Sequence, residues 1–241
     1  MREHLALAAL VAASVLVPAA RAAAPARVIL VGDSTMATRT GYGDALCQRF
    51  EPTVACLNLA RGGRSSGSYR AEGFWDAVLE RLRENVGDTV VLIQFGHNDQ
   101  PGKPGRSTDL ATEFPANLAR YVTEAKAVGA RPVLVTPLTR RSFVDRALNN
   151  DLTRWADATR AVAAAQQVPL LELNRDSAAV VQAMGQAEAD TLAEAPPGAP
   201  RFDRTHLGAK GACLFAGMVA RALPPIVPGI AEGLRPEAAC P

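Results

Sequence analysis

Net charge and histidine are scarce in this sequence. Across 241 residues the formal charge is only +2, which leaves no electrostatic case for nucleic acid or an anionic membrane surface as a partner. Histidine occurs three times, at His4, His97 and His206, so a histidine general base has few places to sit. There is no C-x-x-C pair, and the cysteine spacings do not resemble a zinc site. No internal repeat is visible. The apolar run at residues 5–17 is too short to anchor stably across a bilayer.

That run reads instead as an export signal. Arg2 supplies the short basic end, Pro18 breaks the apolar stretch, and Ala20-Arg21-Ala22 offers an A-x-A cleavage site. A buried N-terminal helix fits less well, because the next segment already begins a strand. The division expected is a signal peptide at 1–22 and a single domain at 23–241, secreted or periplasmic, with no membrane contact after cleavage. Hydrophobic content of 48% and charged content of 21% suit a globular chain able to bury a core. Export changes how Cys47, Cys56, Cys213 and Cys240 read, since an even set in an oxidising compartment is open to pairing.

Short apolar runs alternate with amphipathic stretches after the signal. Runs at 27–31, 54–59, 89–95, 132–136 and 169–173 suit parallel strands covered on both faces. Phe114, Leu118, Tyr121, Val122, Ala125 and Val128 repeat at helical spacing, with Gly129 as a stop. Residues 150–167 are alanine-rich without Gly or Pro, and residues 208–223 place Phe215, Met218, Val219 and Ala222 on one stripe. Residues 196–200 read as a loop. The alternation predicts an α/β fold: a three-layer α/β/α sandwich around a doubly wound, parallel, five-stranded sheet. Cys47 and Cys56 lie close in sequence. Cys213 is turned roughly 200° from core-facing Phe215 at ~100° per residue, toward where the tail bearing Cys240 can lie. The pairs expected are Cys47–Cys56 and Cys213–Cys240.

Four polar clusters carry the chemistry. Gly32-Asp33-Ser34-Thr35 follows the first strand, where doubly wound folds collect ligands. Ala60-Arg61-Gly62-Gly63-Arg64-Ser65 follows the second, its glycines allowing close backbone approach. Phe95-Gly96-His97-Asn98-Asp99 follows the third. Asp203-Arg204-Thr205-His206 leads into the last helix, with the carboxylate three residues before the imidazole it can orient. Taken singly, each is equally well a helix cap or a turn.

Taken together, the clusters match in order and spacing the four blocks of the SGNH (GDSL-like) hydrolase superfamily, which has a flavodoxin-like sheet. "GDSTMA" from Gly32, "NLARGGRSS" from Asn58, "FGHND" from Phe95 and "DRTHLGAKGA" from Asp203 resemble its rhamnogalacturonan acetylesterase-like branch, as does "VTPLTRRSF" from Val135. The resemblance implies Ser34 as nucleophile, with His206 and Asp203 completing a triad. It implies an oxyanion hole from the Ser34 and Gly63 N–H groups and the Asn98 amide. It further implies no metal or organic cofactor, and a substrate that is an acetylated polysaccharide, pectic rhamnogalacturonan first, or a small ester. Other acyl substrates, such as acetyl xylan, and a non-catalytic carbohydrate-binding protein are the rivals. A monomer is expected.

Gly67 stands where the branch leads one to expect a larger, often basic residue. Residues 63–67 also spell G-x-S-x-G, the nucleophile elbow of another hydrolase fold, which would make Ser65 the nucleophile. That elbow needs a strand directly before it and a helix directly after. Arg64, Arg140 and Arg141 are candidates to meet the carboxylates of a pectic chain, against the plainer reading of solvated charges or partners of acids such as Asp145.

Overall fold

The computed structural model describes residues 22–84, 86–193, 203–236 and 240. The expected signal segment, except Ala22, and the expected loop at 196–200 lie outside the described residues. Strand β1 (Arg27–Gly32) and strand β3 (Thr89–Gln94) are buried along their whole length. Strand β2 (Ala55–Asn58) pairs with β1, β4 (Arg131–Val135) pairs with β3, and the two-residue β7 (Leu170–Leu171) pairs with β4, all in parallel. The order is β2-β1-β3-β4-β7. This is the expected doubly wound sheet, and its winding reverses between β1 and β3. Loops leaving the carboxyl ends there diverge and open a crevice.

Period-two alternation sends successive residues into separate cores. Val28, Leu30, Val90, Leu92 and Val133 point to one face, onto α1 (Gly43–Cys47), α6 (Leu173–Asp190) and α7 (Ala209–Ala222). Ile29, Val31, Val91, Ile93 and Leu134 point to the other. There they meet α2 (Ser66–Ala71), α3 (Phe74–Arg83), α4 (Glu113–Ala127) and α5 (Thr153–Gln166). Each such fully buried aliphatic side chain contributes about 1.5–3 kcal/mol. Phe215 and Val219 of α7 are fully buried, as are Phe114, Tyr121, Val122 and Ala125 of α4. Met218, Ala222 and Val128 are only partly covered.

Some elements depart from the sequence expectation. The fifth strand is shorter than 169–173 because Leu173 already opens α6. The helices α3 and α6 fill connections in which no helix was expected. After β4 the chain also makes a small antiparallel hairpin of β5 (Phe143–Val144) and β6 (Ala147–Leu148). Asp145 (φ 48°) and Arg146 (φ 67°) turn it, both left-handed as a type I′ turn requires. The disulfides are Cys47–Cys56 and Cys213–Cys240, as expected. Among the described residues, no helix is long and apolar enough to cross a membrane.

Candidate active site

Ser34 lies just past the end of β1. The turn is made by Asp33, whose Oδ1 accepts from the N–H of Thr35 at 2.9 Å and from its hydroxyl at 2.8 Å. This leaves the Ser34 side chain, 7% exposed, at the crevice. Ser34, Gly63, Asn98, Asp203 and His206 all line one cleft of about 260 Å³, together with His97, Lys103, Arg106, Arg140 and Thr205. The structure thus brings the expected nucleophile, oxyanion-hole donors and acid–imidazole pair to one cleft. Ser34 and His206 share the cleft without a direct hydrogen bond between them, as is common before substrate draws such groups together. A larger cavity of about 460 Å³ lies at the opposite ends of β4 and β7, between residues such as Lys126, Val133 and Ile226. Among the described residues its lining holds no serine, cysteine, histidine or acidic side chain.

His206 is oriented by its own loop. Its Nδ1 stands 2.5 Å from Asp203 Oδ2, and Asp203 Oδ1 accepts from the N–H groups of Thr205 at 2.8 Å and His206 at 2.9 Å. Burial pushes the Asp203 carboxyl up, but the hydrogen bonds from His206 and Thr205 outweigh it and hold the group below its ordinary value. With Nδ1 held by the carboxylate, Nε2 is the ring nitrogen left for other work.

The arginines fall into different places. Arg141 is fully buried beneath the Asp203–His206 loop. Its guanidinium donates to the carbonyls of Asp203 at 3.0 Å and His206 at 2.5 Å, and its N–H to the carbonyl of Arg204 at 2.9 Å. Burial pushes the guanidinium down to about 10, with Asp203 and Asp190 acting the other way. It remains charged at neutral pH. Arg64 pairs with Glu72 at 2.7 Å and stacks over Phe74. Neither matches the expectation of a substrate-facing arginine, and only Arg140 keeps a place on the cleft wall.

Gly63 takes φ +76°, where a side chain would be strained, and a Cβ on Gly62 would stand 3.9 Å from that of Ser34. Asn98 donates one amide hydrogen to the Arg64 carbonyl at 3.1 Å, leaving the other free for the cleft. The next residue, Asp99, ties these loops together. It accepts from the Ser66 N–H at 3.0 Å, the Ser66 hydroxyl at 2.5 Å and the Thr108 hydroxyl at 2.9 Å. Burial still pushes its carboxyl up to about 6, against those hydrogen bonds.

Ser65 is not an elbow. It is fully buried, caps α2, and exchanges hydrogen bonds with Ser68. It is also separated from β2 by a loop. A Cβ on Gly67 would come within 3.2 Å of the Thr108 methyl, so the larger residue expected there has little room.

His97, the other histidine open to the role of base, lies beside Asp33. It is 3% exposed, and its Nδ1 lies 3.3 Å from Asp33 Oδ2, out of hydrogen-bond alignment. Burial raises the Asp33 carboxyl, while the charge of His97 and the Thr35 hydrogen bonds take it below its ordinary value. Lys103 and Arg106 were not anticipated at all. They reach the cleft from the connection between β3 and α4. Among the described residues no group of acidic, histidine and cysteine side chains could hold a metal ion.

Residues 30–213 match the GDSL-like Lipase/Acylhydrolase family. The chain belongs to that family. It is 34% identical over 214 residues to the rhamnogalacturonan acetylesterase RhgT of Bacillus subtilis (strain 168), covering 83% of this chain and 90% of the relative. The branch is therefore the one its blocks resemble, and the protein is a carboxylic ester hydrolase. Among solved structures, the Bacillus subtilis protein YXIM superposes with a TM-score of 0.68 at 24% identity, over 83% of this chain and 56% of that longer one. An acetylxylan esterase of Geobacillus stearothermophilus, Axe2, gives 0.61 at 18% identity, over 84% and 95%. At those identities the superpositions speak for the fold alone.

Proposed function

We propose that this hydrolase is an exported acetylesterase that works through Ser34, His206 and Asp203. The observation that carries the reading is the Asp203–His206 hydrogen bond facing Ser34 across a cleft at the strand ends. In the first step Nε2 of His206 takes the Ser34 proton as Oγ attacks the ester carbonyl. Asp203 holds the ring and stabilises the imidazolium that forms. The carbonyl oxygen becomes an oxyanion held by the N–H groups of Ser34 and Gly63 and the free Asn98 amide hydrogen. Neither of those N–H groups donates elsewhere among the described residues. Such donors, fixed before reaction, favour the developing charge over the neutral ester. As the C–O bond breaks, His206 gives its proton to the departing sugar oxygen, which leaves as a hydroxyl. Water, deprotonated by the same imidazole, releases acetate from Ser34.

The acetyl ester is read as one on a pectic polysaccharide, rhamnogalacturonan, and what supports this is the relative that spans most of both chains. Export rests on the signal-like residues 1–22 and is in keeping with two disulfides. The test is acetate release by purified protein from acetylated rhamnogalacturonan, acetyl xylan and a p-nitrophenyl ester series. The reading expects the highest kcat/KM on the first polymer, with activity falling as the acyl chain lengthens. Higher kcat/KM on acetyl xylan would transfer the proposal to that substrate. No hydrolysis of any ester would support the non-catalytic binding protein.

A further inference from the structure

The cleft holds more positive charge than the hydrolytic step needs. Lys103 and Arg106 enter it from the loop between β3 and α4, and Arg140 from the segment after β4. We propose that these three cations form an anion subsite that binds the carboxylate of a uronic-acid residue next to the acetylated sugar. The proposal rests on the esterase reading for its placement of the ester at Ser34.

Two of the three cations lack a counter-ion among the described residues. Lys103 and Arg106 are half-buried. Among the described residues the Lys103 ammonium has no hydrogen-bond or ion-pair partner. Among the same residues the Arg106 guanidinium makes only long contacts of 3.4 Å, to the Gly63 carbonyl and Asn98 Oδ1, both neutral. Arg140 is answered on one side by Asp151 at 2.6 Å and rests its Nε on the Thr205 hydroxyl at 3.2 Å. Among the described residues the one carboxylate lining the cleft, Asp203, is engaged by His206. Partly desolvated charges of one sign repel one another, and a carboxylate placed among them relieves that repulsion. The Lys103 amine registers this crowding. It is held below its ordinary value by burial first, then by Arg140 and Arg106, against weaker opposing pulls from Asp151 and Asp33.

The cations are also held in position. Ser107 Oγ donates to the Gln100 carbonyl at 2.8 Å and accepts from the Lys103 N–H at 2.9 Å. The Arg106 N–H reaches the Lys103 carbonyl at 2.9 Å, and Thr108 is fastened to buried Asp99. A loop braced in this way loses little freedom on binding. Because Arg106 lies against Asn98 and Gly63, a carboxylate on this loop sits beside the ester carbonyl, within the reach of a neighbouring sugar. Arginine suits such a carboxylate through paired hydrogen bonds.

Binding to Ser34→Ala, which cannot turn substrate over, tests the subsite. The probes are a deacetylated rhamnogalacturonan oligosaccharide and the same oligosaccharide with its carboxyl groups reduced to alcohols. Titration calorimetry should give a Kd about tenfold lower for the acidic probe, a difference that shrinks as salt rises. Lys103→Gln is the primary variant, since Arg106 also touches the Asn98 side chain. Added to Ser34→Ala, it should weaken the acidic probe several-fold more than the reduced one. Equal affinity for the two probes would overturn the subsite, as would equal weakening of both by Lys103→Gln or absence of binding by the acidic probe. If the acidic probe is preferred while the parent protein releases acetate from no ester, the esterase reading fails and the subsite stands. If acetate is released and the carboxyl groups make no difference, the subsite alone fails.

Discussion

The guanidinium of Arg141 donates to the backbone carbonyl of His206 at 2.5 Å. The same nitrogen, Nη2, also donates to the Asp203 carbonyl at 3.0 Å, so one buried cation fastens both ends of the segment whose side chains form the acid–imidazole pair. Arg141 touches no substrate in this account; it positions. Arg141→Gln should lower kcat roughly 10- to 100-fold with KM little changed, because small misplacements of catalytic groups are costly. Arg141→Lys should recover part of the loss and should shift the pH profile of kcat as the imidazole loosens from Asp203. A folded Arg141→Gln enzyme with parental kcat and pH profile would show that the loop holds its shape unaided.

Ser65 separates a cap from a nucleophile. Its hydroxyl accepts the Ser68 N–H at 3.1 Å. Ser65→Ala should cost about 1 kcal/mol of stability, as lost N-caps do. It should keep most esterase activity once temperature is set well below the lowered Tm. Thermal melts beside acetate-release rates check both halves.

Asp99 gives a stability prediction with a definite sign. Its folded-state carboxyl sits near 6, above its ordinary 3.8, because it is buried. Between these values the folded protein binds more protons than the unfolded one, so this group's contribution falls as pH rises from about 4 to about 6. A shift of this size corresponds to about 3 kcal/mol. Asp33 and Asp203 are shifted the other way, and their contributions are lost only as pH falls below the ordinary carboxylate range. Urea unfolding at pH 4.5, 5.5 and 6.5 should show the decline in the parent and a flatter line in Asp99→Asn. The same slope in both would remove Asp99 as its source.

Much of the fold was legible because the central strands are continuous apolar runs, as at Val28–Val31 and Val90–Ile93, and α7 carries a strong stripe through Phe215 and Val219. The helix α6 was not, since its buried positions include Asn174, Ser177 and Ala189, which give a weak apolar period. The helix α3 does bury Trp75, Val78, Leu79 and Leu82 at helical spacing, a pattern present in the sequence. The site residues could be located through four short blocks. Arg141 could not, because nothing local distinguishes it from Arg140: its burial depends on contacts more than sixty residues away. Lys103 and Arg106 lie in a Gly- and Pro-rich loop without periodicity, so only the folded chain reveals which way they face.

Covalent trapping is the sharpest test of Ser34 as the nucleophile. A fluorophosphonate reacts with a serine activated by a neighbouring base and leaves a stable adduct on its oxygen. Peptide mapping of the labelled protein should place a single adduct on Ser34, and Ser34→Ala should take up none. An adduct on Ser65, or labelling of Ser34→Ala as complete as that of the parent, would contradict the account.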